Sequence, residues 1–310
     1  MTFHGKAPWK VILLGEHFVV HGNPALAAAL DRGVEAEAIS CPDDIVVSKD
    51  LGLECRVREP SGQLKPVAAA LQKLLDDRSL NGVKVTIKSS LPVSAGLGSS
   101  AASSVAALAA VGAFFGVTVS HDTLFDYGMI SEKLVHGNPS GVDVYVAVHG
   151  GLVYFKGRRR KSVPLTQRFP IMVSCTGIER NTGELVSRVA KFKESSPALY
   201  RTLAKASEKL VEDCMKALEK GDPGVLPPSM NFHQQALKSM GVSSPELDSL
   251  VKEARLAGFV GAKLTGSGCI IGWPGTARFE DSFEGFNAKH PNSFMSYIPS
   301  EGVTTWETPS

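Results

Sequence analysis

The stretch that most constrains this chain is LPVSAGLGSSAA, Leu91–Ala102. A strand-like run, VKVTIKSS (Val83–Ser90), leads into it, and an Ala-rich run, Ser99–Phe115, leads out. Between them lie Gly96 and Gly98, then the hydroxyls of Ser99 and Ser100. Glycine admits positive φ and lets a ligand come close to the backbone. The first turn of the following helix offers unpaired N–H groups and the positive end of the helix dipole. That combination suits an anion, phosphate above all, and a hydroxyl beside it can ligate magnesium. A bare Gly-Ser turn without a ligand is the plain alternative. The letters also fit GxGxxA, a dinucleotide fingerprint, but Pro92 precedes it and VTVSHD is too short to be the second strand such a site needs. No Gly-Lys-Ser/Thr occurs, so it is not a Walker A loop.

The rest of the chain narrows the choice. Its 310 residues allow one or two domains with an ample core. A formal net charge of +2 gives no global reason to bind nucleic acid or an anionic membrane. The one dense basic cluster, Gly157–Lys161, follows an apolar strand and reads as the solvated tip of a hairpin. Five scattered cysteines, an odd number with no CxxC, point to free thiols in a reducing compartment and away from structural zinc. MTFHGKAPWK is not a secretory signal, and no apolar run reaches about eighteen residues.

Taken in order, WKVILLG reads as a buried strand, HGNPA as a turn, and the run to Ser40 as a second strand. Helices are expected over Pro66–Leu75 and His121–Val135, the latter capped by Ser120 and ended by HGNPSG. Ile171–Thr176 reads as a strand. Asn181–Leu218 reads as two helices broken near Ser196-Pro197, and Pro228–Ser239 and Pro245–Ala257 as two more. KLTGSGCIIGW is strand–turn–strand, and no internal repeat occurs.

Several polar residues stand in apolar or glycine-rich surroundings: Lys10, Glu16, His17, Ser99, Ser100, Glu132, Asp143, Thr176 and Thr265. On its helix Glu132 points between Leu124, Val135 and Phe125. It is either buried against a cation, metal or donors, or it sits on a rim. Asp143 follows the rigid HGNPSGV loop, as a base, a metal ligand or a plain helix cap. Lys10 interrupts an apolar strand, as a snorkelling side chain or as a cation beside a phosphate. EHFVVH places His17 and His21 four apart but is not HExxH, so zinc is not expected there. Together these parts describe phosphoryl transfer: a phosphate cradle, an oxygen-ligand metal site, and a carboxylate and cation at the attacking hydroxyl.

Three segments carry a family resemblance: Lys10–Leu30, Leu91–Ser104 and Lys263–Trp273. With them the chain resembles the small-molecule kinases that include galactokinase, homoserine kinase, mevalonate kinase and phosphomevalonate kinase (the GHMP kinases). GEHFVVHG and HGNPSGVD look most like the mevalonate kinase branch. The resemblance extends over nearly the whole chain, including TGIERNTGELV (Thr176–Val186). It implies an α+β fold of two domains, residues 1–166 resembling ribosomal protein S5 domain 2 and residues 167–310 ferredoxin-like, with the active site in the cleft. It implies ATP and Mg²⁺ as cofactors and mevalonate as the acceptor. Asp143 and Lys10 are then catalytic. Pro92, Ser94, Ala95, Gly96, Leu97, Gly98, Ser99, Ser100 and Ala101 wrap the triphosphate. Ser100 and Glu132 ligate the metal, and Glu16, His17, Thr176, Gly266 and Ser267 line the acceptor pocket. A homodimer is what the resemblance suggests, while the thiol reading points to the cytoplasm and the charge and hydropathy to no membrane or nucleic-acid partner.

Two departures stand out. Trp9 occupies a position that is usually Gly in that branch, so a large indole is expected to narrow the entrance or repack Lys10. TGSGC is also a shorter glycine run than that branch usually carries. Other readings remain: the same chemistry on phosphomevalonate, a modified mevalonate or a sugar; a decarboxylase of the same fold; or a non-catalytic sensor. The last is disfavoured by the presence of Lys10, Ser100, Glu132 and Asp143 together.

Overall fold

The computed structural model describes residues 1–89, 96–157, 159–165, 167–178, 180–275 and 278–309. The chain opens with β1 (Thr2–Leu14), β2 (Ala25–Ser40), β3 (Ile45–Ser48) and β4 (Leu53–Arg56). Then come α1 (Lys65–Asp77), β5 (Val83–Ser89), α2 (Ser99–Phe114), α3 (His121–His136) and α4 (Val142–His149). A hairpin of β6 (Leu152–Lys156) and β7 (Arg159–Val163) leads to β8 (Phe169–Cys175). Four helices follow: α5 (Thr182–Ser195), α6 (Pro197–Glu219), α7 (Leu226–Ser239) and α8 (Pro245–Leu256). The remainder is β9 (Phe259–Thr265), β10 (Cys269–Pro274), α9 (Phe279–Asn287), β11 (Ser293–Ile298) and β12 (Thr304–Thr308).

Two sheets organise these elements. The first runs β12-β1-β2-β5-β3-β4, with β6 also paired to β2 and β7 to β6. The second is antiparallel throughout, in the order β11-β8-β10-β9, with helices joining β8 to β9 and β10 to β11. That is the ferredoxin-like pattern, so the α+β expectation holds. The last strand crosses back to the first sheet, where Thr308 lies opposite Thr2. Among the described residues no helix is long and apolar enough to cross a membrane.

Local chemistry explains most boundaries. Ser120 accepts from Thr123 N and starts α3, and Asn181 caps α5. Ser196-Pro197 separates α5 from α6, because proline is tolerated in a first turn and not in a helix interior. From Ala101 to Gly112, helix α2 is buried at every position except the half-buried Ser103. Its alanines and serines let its backbone lie close to the first sheet.

The basic hairpin differs from the sequence expectation. Arg159 is exposed, but Arg160 pairs opposite Phe155 and its guanidinium lies 4.1 Å from the Phe125 ring centre and 5.1 Å from that of Tyr145. Strand alternation turns Arg160 onto these aromatic faces, which its flat cation suits, while the exposed Arg159 lies 5.9 Å from the Tyr154 ring centre.

Inside the helical layer, His233 of α7 is fully buried between Ser207 Oγ at 2.9 Å and Ser229 O at 2.8 Å. Burial pushes its pKa down to about 4 from the ordinary 6.5. The folded state therefore holds this proton more weakly than the unfolded chain. Stability should be fully present above pH 6.5 and fall as pH drops towards 4, by about 3 kcal/mol at the lower end. Urea midpoints measured across this range check it. His233→Gln should flatten the slope by one proton, and an unchanged slope would assign the acid sensitivity elsewhere.

Candidate active site

Lys10 is the natural starting point. Alternation along β1 sends the Trp9 indole into the core, fully buried, 6.4 Å from the Phe294 ring. Lys10 faces the other way, so the expected crowding of Lys10 by Trp9 does not occur. The Lys10 ammonium lies 3.1 Å from Asp143 Oδ1, with Lys10 buried and Asp143 partly exposed. Asp143 stands in the first turn of α4, behind Gly141 in the left-handed conformation. It is thus a helix-start residue and an ion-pair partner at once.

The glycine loop meets this pair directly. Lys10 N donates to Leu97 O at 2.9 Å, which ties the loop to β1. Gly98, with φ 74°, caps α2 without any side-chain hydrogen bond. A Cβ there would stand 3.0 Å from Lys10 Cγ and 3.7 Å from Asp143 Cβ. Gly98 thus lets the ion pair approach an uncapped helix N-terminus, the place where an anion binds best. Gly96, Leu97, Ser99, Ser100 and Ala101 complete this turn. Pro92, Ser94 and Ala95 lie outside the described residues.

Glu132 comes in from α3. It is 2% exposed, so the rim reading is excluded. Ser100 Oγ donates to Glu132 Oε1, and His136 Nε2 lies 3.7 Å from Oε2. Burial pushes the Glu132 carboxyl up to about 7, and the charge of Asp143 adds to the rise, while Ser100 and Lys10 oppose it. A buried carboxylate held partly protonated, beside a hydroxyl and a second carboxylate, is relieved by a divalent cation. The donors are all oxygens and few, which suits Mg²⁺ completing its shell from water and phosphate. Among the described residues, no cluster of three or more His, Cys, Asp or Glu side chains forms a protein-only metal cage.

The third glycine segment closes on the first. Gly266, with φ 61°, packs so tightly on the loop that a Cβ would stand 2.0 Å from Gly96 O. Ser267 is buried, and its carbonyl accepts from Arg180 Nη1 at 2.9 Å while Val242 O accepts from Nη2 at 2.7 Å. Thr176 binds the same turn, with its N–H and its hydroxyl both donating to Gly268 O, at 3.0 and 3.1 Å. Directly behind it, Cys175 and Cys269 form a disulfide. This corrects the free-thiol expectation, which holds only for Cys41, Cys55 and Cys214. The physical reason is register: β8 and β10 run antiparallel with Cys175 opposite Cys269, a pairing invisible from their 94-residue separation.

Glu16 and His17 leave the end of β1. His17 adopts φ 60° and is buried, and burial with the charges of Lys263 and Arg180 lowers its pKa to about 4, so it is neutral. Glu16 forms a fully buried ion pair with Lys263 of β9. Burial raises the carboxyl and lowers the ammonium, and their mutual attraction works against both shifts. The hydroxyl of Thr265, two residues along β9, accepts from Ile12 N at 3.0 Å. Lys263 and Arg180 were missed in the sequence. Each is a lone cation in a mixed segment, and only the tertiary fold makes it a partner. A lysine inside an otherwise apolar strand, as at Lys10, is the signal that could have marked Lys263.

Comparison with known proteins identifies the family. Residues 64–151 match the GHMP kinases N-terminal domain and residues 214–281 the GHMP kinases C-terminal domain. The chain is 36% identical to a mevalonate kinase of Aeropyrum pernix, covering 96% of each chain. It is 36% identical to a mevalonate kinase of Pyrococcus furiosus, over 86% of this chain and 87% of that one. The crystal structure of L. major mevalonate kinase in complex with R-mevalonate superposes with a TM-score of 0.81 at 28% identity, covering 96% of this chain and 95% of that one. The chain belongs to the GHMP kinases and, within them, groups with the mevalonate kinases.

Proposed function

We propose that this protein transfers the γ-phosphoryl group of ATP to the 5-hydroxyl of (R)-mevalonate, giving 5-phosphomevalonate and ADP in isoprenoid biosynthesis. The observation that carries it is the Lys10–Asp143 pair seated against Gly98 at an uncapped helix N-terminus, in a chain whose relatives are mevalonate kinases. The triphosphate lies on the loop from Gly96 to Ala101, against first-turn N–H groups. Asp143 takes the proton of the attacking hydroxyl as that oxygen bonds the γ-phosphorus and the bond to the β-phosphate oxygen breaks. Lys10 stabilises the developing alkoxide and the γ-phosphate charge. Ser100 and Glu132 would hold Mg²⁺, which would neutralise phosphate charge when bound. Glu16, His17, Thr176, Gly266 and Ser267 border the acceptor. ATP as co-substrate makes the cytoplasm the proposed location.

A coupled ADP-release assay across mevalonate, phosphomevalonate, homoserine and galactose tests this reading. Mevalonate should lead by about 10²-fold or more in kcat/KM. Preferred turnover of another acceptor would replace the substrate, and release of CO₂ would replace the reaction. The metal assignment has its own test. Glu132→Gln should raise the Mg²⁺ concentration for half-maximal rate by at least the about 10- to 100-fold typical of losing a supporting partner. An unaltered Mg²⁺ dependence would return Glu132 to a structural role.

A further inference from the structure

Lys263 has no role in the steps above, yet its buried pair with Glu16 joins β9 to the end of β1. Lys263 is fully buried. Its ammonium donates to Glu16 Oε1, to Leu264 O and, at 3.2 Å, to Ile12 O. All three of its N–H donors are thus matched by oxygen acceptors. With Thr265 on the same face of β9, it grips both backbone groups of Ile12, two residues beyond Lys10 on β1. Glu16 is not satisfied in the same way. One carboxylate oxygen is held by Lys263, while the other, Oε2, is buried without a hydrogen-bond partner among the described residues. A buried charged acceptor left open costs free energy unless a donor arrives. The surrounding charges place Glu16 within the field of Lys10 as well as Lys263.

We propose that Lys263 is a positioning residue for acceptor recognition: it fixes Glu16 by Oε1 so that Oε2 is presented to a hydroxyl donor of the acceptor other than the one phosphorylated. The proposal rests on the kinase reading above and deepens it. Lys263 acts through Glu16 and touches neither nucleotide nor acceptor. The open oxygen selects acceptors that carry a second hydroxyl. An acceptor without one leaves Oε2 unpaired, and the site rejects it.

Lys263→Met alone leaves a buried carboxylate unpaired and endangers folding. The decisive protein is therefore the double variant Lys263→Met/Glu16→Gln, neutral and similar in volume, read beside wild type and Glu16→Gln alone. Each is measured for urea midpoint, for binding of a non-hydrolysable ATP analogue by calorimetry, and for kcat and KM of the acceptor. The double variant should keep its urea midpoint and its nucleotide affinity within about threefold. Its kcat/KM for the acceptor should fall about 10- to 150-fold, the value of a hydrogen bond to a charged group, and the loss should appear mainly in KM. A stable double variant whose acceptor KM equals that of wild type would show a purely structural pair and overturn the proposal. If the double variant is insoluble, Glu16→Gln decides, since an unmoved acceptor KM there also overturns it. Wild-type turnover of mevalonate tests the functional reading separately. Should wild type prefer another acceptor of the panel, the same KM comparison is made on that acceptor.

Discussion

Replacing Asp143 with asparagine should lower kcat on mevalonate by roughly 10²–10⁴-fold, the range a positioned general base supplies. Asparagine has the same shape, so α4 and its Gly141 start are kept. It removes the charge 3.1 Å from the Lys10 ammonium and, with it, the group proposed to receive the hydroxyl proton. The nucleotide site proposed above is the Gly96–Ala101 turn, whose backbone the substitution does not alter. Affinity for an ATP analogue should therefore stay within about threefold while turnover collapses, since the base acts on the transition state. Rapid-quench measurement of a single turnover separates the chemical step from product release. A variant that keeps near-wild-type kcat would remove Asp143 from the chemistry and leave it a helix-start residue.

The second large effect belongs to a backbone contact. Gly266→Ala should cost about 10²-fold in kcat/KM for ATP. The added methyl would stand 2.0 Å from Gly96 O and 2.6 Å from Gly96 C, both backbone atoms that cannot rotate away. One of the two glycine turns must move, and a displacement of about 1 Å near reacting groups is worth about that factor. The positive φ of Gly266 adds roughly 1–2 kcal/mol of local strain for any other residue. Gly285→Ala provides the control, because it sits in α9 with nothing within 4 Å. That change should leave kinetics alone and stabilise by up to about 1 kcal/mol. Equal kinetics for the two variants would show that the turns do not need their close contact.

Local signals carried well in this chain. The Ser120 cap, the Ser196-Pro197 break and the Gly96–Gly98 turn before an Ala-rich helix are each decided by a few neighbouring residues, and each lies where the sequence places it. Asp143 and Glu132 were open between functional and plain readings, because a carboxylate's meaning depends on what faces it. Only the fold brings Lys10, 133 residues away, to Asp143, and buries Glu132 against Ser100. Features set by strand register were not legible at all. Cys175 with Cys269 and Glu16 with Lys263 are pairs that two antiparallel strands or two sheets create. Trp9 shows the converse. A residue next to Lys10 in sequence is on the opposite face of β1, so its bulk is spent in the core and not at the site.

The pairing of β12 with β1 has a consequence for how this chain can be cut and rejoined. Thr2 lies opposite Thr308 and Lys6 opposite Thr304, so the two ends of the described chain run side by side on neighbouring strands. In space the polypeptide is close to a ring. A short linker can close that ring, and new ends can be opened at the exposed Asp222–Gly224 turn between α6 and α7 without crossing either sheet. In such a permutant β1, with Lys10 on it, becomes an interior strand of the sequence, held on both flanks by the same partners. The site depends on which strands are neighbours and not on where the chain starts.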